Sequence, residues 1–492
     1  MLFNSFEFLI FLPIVFIAYW YIFQKSLRLQ NLFLVVVSYI FYGWWEWRFL
    51  YLIALTSFLS WFSGVLIQKI RQSEKTDKTI RVLCKGVAFS NIILNLVILG
   101  IFKYYNFFVQ SFVDAFSELG FHLQVPSLQL ILPVGISFYT FQALSYTIDI
   151  YKKTLSPTRD LVAFFAYISF FPQLVAGPIE RATNLLPQFY RSRHFDYQQS
   201  VDGLRQMLWG FFKKIVIADN CASMVNIIFD NYQSYCSILL FLGAFLFTFQ
   251  IYCDFSGYSD IAIGTARLFG IELKRNFHFP YFSRDIAEFW RRWHISLNTW
   301  FRDYVYIPLG GSRCGNKIKM RNTLIIFTLS GLWHGANWTY LIWGIYHGLL
   351  FIPLMLLNKN RKYMNVAAEG KLFPSFRELV QISLTFVLVM IGWIIFRAES
   401  ISEGSEYLLR IFQFNLDGDF LSTLPFSKIS FLTTIFFIIL LVSVEWVQRT
   451  KEHALYLVAL KSTSLRWGIY IFLLFMILLF PGKQETFIYF QF

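Results

Sequence analysis

Long runs of apolar residues, separated by short polar stretches, set the pattern of this chain from end to end. The clear runs are Phe6–Phe23, Leu29–Trp45, Tyr51–Ile67, Val87–Phe102, Ile238–Cys253, Thr323–Leu357, Leu379–Phe396, Ile429–Trp446 and Trp467–Phe480. Thr323–Leu357 is long enough for two. Leu130–Ile150, Leu161–Ala176 and Leu208–Phe229 are less uniform. A helix needs roughly 20 apolar residues to cross a bilayer core. In lipid the backbone must satisfy its own hydrogen bonds, so the runs predict helices. No alternating barrel pattern competes. The expected fold is therefore all-α and polytopic, with about 11 or 12 crossings. The first run lacks a basic flank and a small-residue cleavage site, so it reads as a retained helix, not a signal peptide.

Composition supports the membrane reading. Hydrophobic residues make up 57% and aromatic residues 21% of the chain, 59 of them Phe. Charged residues are 15%, against about 25% in ordinary soluble domains. A soluble globule this apolar has too little polar surface to cover itself. The net charge of +14 does not indicate nucleic acid, because the basic residues lie in loops between apolar runs. Cytoplasmic loops of membrane proteins collect Lys and Arg. Five cysteines without paired spacing give neither a disulfide framework nor a metal cluster. No bound cofactor and no metal are expected.

Loop charge predicts sidedness. Lys69, Arg71, Lys75, Lys78, Arg81 and Lys85 mark a cytoplasmic loop, and counting back puts the N-terminus outside. Lys274–Arg321 carries ten basic residues against Asp285, Glu288 and Asp303, the strongest cytoplasmic signal. Glu399–Ser427 has the acids Glu399, Glu403, Glu406, Asp417 and Asp419 and fits the outer face. Arg449, Lys451, Lys461 and Arg466 return the chain inside. Leu161–Ala176 lies between two basic stretches, contains Pro172 and is followed by Gly177 and Pro178, which predicts a re-entrant piece. Residues 1–492 read as one domain.

Two histidines carry candidate chemistry. His334 lies in Ser330-Gly-Leu-Trp-His-Gly-Ala-Asn-Trp338, within an apolar run, where an ionisable group is costly and marks function. Gly331 and Gly335 would let a substrate approach the ring. Trp333 and Trp338 would wall it, and Asn337 would hold a ring nitrogen. A packing histidine is the alternative. His294 lies in Glu288-Phe-Trp-Arg-Arg-Trp-His-Ile-Ser-Leu-Asn-Thr-Trp-Phe-Arg-Asp303. Helical spacing puts Trp290, His294, Leu297 and Phe301 on one stripe of an amphipathic helix, with Glu288 and Arg292 paired opposite. Arg291, Arg292 and Arg302 would meet headgroups or an anionic substrate. His347 reads as packing, and His122, His194, His278 and His453 as peripheral. Gln142, Asp254, Ser256 and Asn298 are polar positions in apolar context. They line a tunnel or join helices.

Phe289-Trp-Arg-Arg-Trp-His294 and Leu332-Trp-His-Gly335 resemble the membrane-bound O-acyltransferase superfamily. The likeness is to the bacterial branch typified by the alginate O-acetyltransferase membrane subunit. Further matches are Pro133–Gln142, Pro172–Arg181, Gln250–Asp260, Tyr304–Gly311 and Phe487–Phe492. The resemblance implies helices around a central tunnel that joins the two faces, with His334 and His294 as the catalytic pair. It implies an acyl donor on the cytoplasmic side, acyl-coenzyme A (acetyl-CoA above all) or an acyl carrier. It also implies a periplasmic or extracellular acetyltransferase partner, and residence in the bacterial cytoplasmic membrane. The related teichoic-acid D-alanylation branch, an acyl transporter, and a scaffold for a periplasmic transferase are the alternatives.

Overall fold

A computed structural model describes the chain except residues 122, 124, 126, 127, 129, 176, 416–423, 457–461 and 489–492. His122, Ala176, Asp417, Asp419, Lys461 and residues 489–492 of the Phe487–Phe492 motif thus lie outside the described residues. Every regular element among the described residues is a helix. Six helical stretches are long and apolar enough to cross a membrane: Leu27–Arg71, Asp77–Glu118, Ser237–Leu268, Trp338–Leu356, Phe376–Arg397 and Lys428–Val447. Phe6–Ile22 and Thr463–Leu479 are shorter apolar helices. Large side chains on their outer faces stand open: Phe6 is 72%, Ile429 78% and Leu478 76% exposed. Only a lipid solvent makes such a surface stable, so the chain is a multi-pass membrane protein.

The described chain divides into two compact units. The first comprises Met1–Ser200 and Ala266–Leu273. Its helices meet through small and polar side chains, the usual glue where lipid offers no hydrophobic drive. Asn91 Nδ2 donates to Thr147 Oγ1 at 2.7 Å and to Ser60 Oγ at 3.3 Å. Helix Ile136–Tyr151 starts at Gly135, which has φ +73°, and a Cβ there would fall 2.5 Å from the Leu174 carbonyl oxygen. Gln142 is buried on this helix, and its carbonyl accepts the Tyr167 hydroxyl at 3.2 Å. The run Leu161–Ala176 contains two short helices, Leu161–Ser169 and Phe171–Leu174. At about 1.5 Å per residue the longer reaches about 14 Å, half of a bilayer core of roughly 30 Å.

The second unit comprises Val201–Thr265 and Lys274–Phe492. The run Thr323–Leu357 is a hairpin of two helices, Asn316–His334 and Trp338–Leu356, with its turn directly after His334. Two glycines let these backbones touch. A Cβ on Gly331 would lie 2.1 Å from the Tyr340 carbonyl oxygen, and one on Gly344 would lie 2.3 Å from that of Phe327.

The segment around His294 departs from its expected form. A continuous amphipathic helix is replaced by two short ones, Ile286–Arg292 and Ile295–Phe301. Trp293 is extended and His294 is left-handed, with φ 45° and ψ 53°. The Glu288–Arg292 pair does form, at 2.8 Å, but it is buried. Interior hydrogen bonds, described below, repay the break.

The hairpin contact gives a stability test. Gly344→Leu forces a side chain into backbone and should cost about 1–3 kcal/mol or more. Gly468→Ala, whose Cβ would meet nothing within 4 Å, should leave stability unchanged or slightly raised. Thermal unfolding in detergent reads both. Equal melting temperatures for the two variants would contradict the close crossing.

Candidate active site

Asn298 organises the turn at His294. Its Nδ2 donates to the carbonyls of Trp290 at 2.7 Å and Trp293 at 2.6 Å, which the first short helix leaves open at its end. Asn276 secures the other side. Its carbonyl accepts the Ile295 N–H at 2.9 Å, and its Oδ1 accepts the Ser296 hydroxyl at 2.9 Å. Between them His294 caps the second short helix: Nδ1 accepts the Leu297 N–H at 3.3 Å. Positive φ is uncommon outside glycine, and histidine is among the residues that tolerate it. Burial pushes the His294 imidazole down to about 3, so the ring is neutral. Because Nδ1 accepts, the proton of the neutral ring sits on Nε2, which is a donor.

His334 arrives from a different element, as the last residue of helix Asn316–His334. The His294 and His334 ring centroids are 6.3 Å apart and nearly perpendicular. Both residues are buried. Aromatic rings wall the pair: Trp333 lies 5.1 Å from His334 and 5.6 Å from His294, Trp343 5.1 Å and Phe396 5.5 Å from His334, and Phe255 4.7 Å from His294. His347 sits one ring further out, 5.2 Å from Trp343 and 4.9 Å from Trp290, as a packing histidine would. Among the described residues no cluster of three or more His, Cys, Asp or Glu could hold a metal ion.

Several expected site residues are engaged elsewhere. Asn337 turns away from the imidazole: its Oδ1 accepts the Thr339 N–H at 3.1 Å as the cap of helix Trp338–Leu356, and its Nδ2 donates to the Glu399 carbonyl at 2.8 Å. Trp338 is 52% exposed. Gly331 and Gly335 make room for Tyr340: a Cβ on Gly331 would lie 2.1 Å from its carbonyl oxygen, and one on Gly335 2.2 Å from its ring.

The basic belt is largely structural. Arg291 donates to the carbonyls of Asn360 at 2.5 Å and Tyr363 at 2.6 Å. Arg292 donates to Glu288 and to the Asn365 carbonyl at 2.9 Å. Arg284, also on Glu288, reaches the same carbonyl at 2.7 Å. These arginines hold the connection between helices Trp338–Leu356 and Phe376–Arg397. Arg302 is exposed and pairs with Asp303 at 2.6 Å. Asp254 meets Lys214 at 2.9 Å, and Ser256 accepts from Lys213 at 2.9 Å. It is Phe255, between them, that faces His294. Gln142 belongs to the first unit. Asn276, Trp343, Phe396 and Phe255 escaped the sequence reading, since each is an ordinary residue on a separate element. The Asn-Phe-His-Phe stretch at 276–279, alone in a basic loop, was the one available signal for Asn276.

The membrane-bound O-acyltransferase family model matches residues 39–371. A probable alginate O-acetylase of Pseudomonas aeruginosa is 40% identical over 84% of this chain and 75% of its own length. A peptidoglycan O-acetyltransferase of Helicobacter pylori is 33% identical over 83% of this chain and 79% of its own. A teichoic acid D-alanyltransferase of Bacillus subtilis is 30% identical over 55% and 70%. The match spans the hairpin, the break before it and both histidines, and the chain belongs to the membrane-bound O-acyltransferase family.

Proposed function

We propose that this protein transfers an acetyl group from a cytoplasmic thioester, acetyl-CoA, to a hydroxyl, for O-acetylation of a cell-surface or secreted polysaccharide. The observation that carries the reading is the buried, ring-walled pair His334 and His294, with centroids 6.3 Å apart although 40 positions separate them in the chain. His334 takes the proton of the attacking hydroxyl as that oxygen bonds to the acyl carbon, and returns it to the departing thiolate. The carbonyl end of helix Asn316–His334 carries partial negative charge, the sign that steadies a ring as it becomes cationic. His294 presents Nε2–H, suited to the oxyanion that develops on the acyl oxygen. The aromatic wall lowers the local dielectric and strengthens both interactions.

Two acetylating relatives cover more than four-fifths of the chain, against about half for the D-alanyl relative, which favours acetyl over D-alanyl. The cytoplasmic membrane of a bacterium, about 11 or 12 crossings around a tunnel, and a periplasmic or extracellular acetyltransferase that receives the acetyl group complete the reading. With Arg291 and Arg292 engaged and Arg302 paired with Asp303, the donor's phosphates fall first to the exposed Arg313 and Lys317.

His334→Ala lowers polymer acetylation by roughly 10²–10⁴-fold with normal membrane insertion, and surviving acetylation would remove His334 as the base. His294→Asn keeps a helix-capping acceptor and tolerates the left-handed backbone, but lacks Nε2–H. It should keep its melting temperature and lose roughly 10²–10³-fold in kcat; equal loss of fold and activity would make His294 structural. Labelled acetyl-CoA should acetylate acceptor with purified protein, and Arg313→Gln with Lys317→Gln should raise KM for it without changing kcat. Label arriving only from a charged carrier protein would overturn the donor.

A further inference from the structure

Helix Tyr197–Phe211 continues through a widened turn, Phe212–Ala218, into helix Asp219–Asp230. Widened turns of this kind recur at functional sites. This one carries two consecutive lysines, both buried. Lys213 meets Asp260 at 2.6 Å and Ser256 at 2.9 Å. Lys214, whose side chain is 1% exposed, donates to Asp219 at 2.7 Å and to the Glu485 carbonyl at 3.2 Å, and its ammonium lies 2.9 Å from Asp254 as an ion pair. The second oxygen of Asp254 accepts the Ile488 N–H at 2.8 Å.

One ion pair thus grips the segment after helix Thr463–Leu479 at two points. The start of that segment is fastened to the same helix. Asn220 Nδ2 donates to the Phe480 carbonyl at 3.1 Å, and the Gly482 N–H donates to the Ile215 carbonyl at 3.2 Å. At its far end the Phe487 ring packs on Tyr258 at 4.3 Å and Phe255 at 6.0 Å, and Phe255 packs on His294 at 4.7 Å. A buried ion pair is expensive to desolvate, and apolar residues of equal size would hold helices together as well. What charge adds is direction: Asp254 has one oxygen for Lys214 and one for a particular N–H.

We propose that the Lys214–Asp254 pair is a positioning element of the acyltransfer site, pinning residues 481–488 so that Phe487 backs Phe255 against His294. The role rests on the acyltransferase reading of His294 and His334. Lys214 and Asp254 touch no reacting atom and act through the segment and Phe255. Asparagine at 254 replaces one of the two carboxylate oxygens with an NH2 donor, so one side, toward Lys214 or toward the Ile488 N–H, faces donor against donor. Proline at 488 removes the N–H and leaves Asp254 intact.

The test uses the full-length protein in detergent or nanodiscs, with Asp254→Asn, Ile488→Pro and the double variant. Hydrogen exchange over 481–488, read without substrate, should quicken in Asp254→Asn. Transfer from acetyl-CoA should fall by up to roughly 10²-fold in kcat, with KM near wild type. The double variant should lose less than the product of the two singles, because both changes loosen the same segment. Unchanged exchange, unchanged kcat, or losses that multiply in the double variant would overturn the positioning role. Ile488→Pro, which keeps the buried charges paired, covers the case in which Asp254→Asn fails to fold. A wild-type protein that moves no acetyl group would instead sink the acyltransferase reading, while the exchange measurement would still report on the latch.

Discussion

Asn298 holds two backbone carbonyls, those of Trp290 and Trp293, with one amide nitrogen. A helix that ends inside an apolar interior leaves carbonyls without water to bond them, and each orphan is expensive. With these two satisfied, the chain can stop one helix, turn through a left-handed residue and begin another within two positions. His294 is that residue. Had the helix run on, its side chain would have stayed on the stripe with Trp290 and Leu297. The break turns it instead into the space that Trp333 and His334 enter from the hairpin.

The other half of the pair depends on bare backbone. Gly331 and Gly344 remove the Cβ atoms that would hold helices Asn316–His334 and Trp338–Leu356 apart. The turn between them then falls directly after His334, and Asn337 caps the returning helix. Close approach and capping together deliver Trp333, His334 and Trp343 to one place. Polar groups that seemed free to meet a substrate are consumed by this construction: Asn337 by the cap, Arg291 and Arg292 by the carbonyls of the following connection. In an apolar interior most polar side chains serve the backbone, and the few left to chemistry are walled by rings.

Charge follows the same economy. Glu288 sits between Arg284 and Arg292, and Asp254 between Lys214 and the Ile488 N–H. Asp254 thereby joins segments far apart in sequence, and Glu288 fixes two arginines that both reach the Asn365 carbonyl. The ion pairs of the second unit are therefore read best as connectors that orient segments around the two histidines.

The helical, membrane-spanning character of the chain was legible because it follows from composition and run length: lipid demands internally bonded backbone, and apolar runs of sufficient length meet the demand. His294 and His334 stood out as candidates as well, since an ionisable group amid apolar residues is conspicuous. The Glu288–Arg292 spacing correctly predicted an ion pair, though not its burial. The break at His294 was not legible, because local periodicity favoured a continuous helix, while the open carbonyls are answered by Asn298 and the Ile295 N–H by the carbonyl of Asn276, eighteen residues upstream of His294. Nor was the fate of Asn337, Arg291, Arg292, Asp254 and Ser256, whose partners lie on other elements. Periodicity and composition are sums over neighbours along the chain, and they determined the helices and the candidate bases. Which polar atom bonds which carbonyl depends on segments brought together only by folding, and that tertiary accounting decided how His294 and His334 meet.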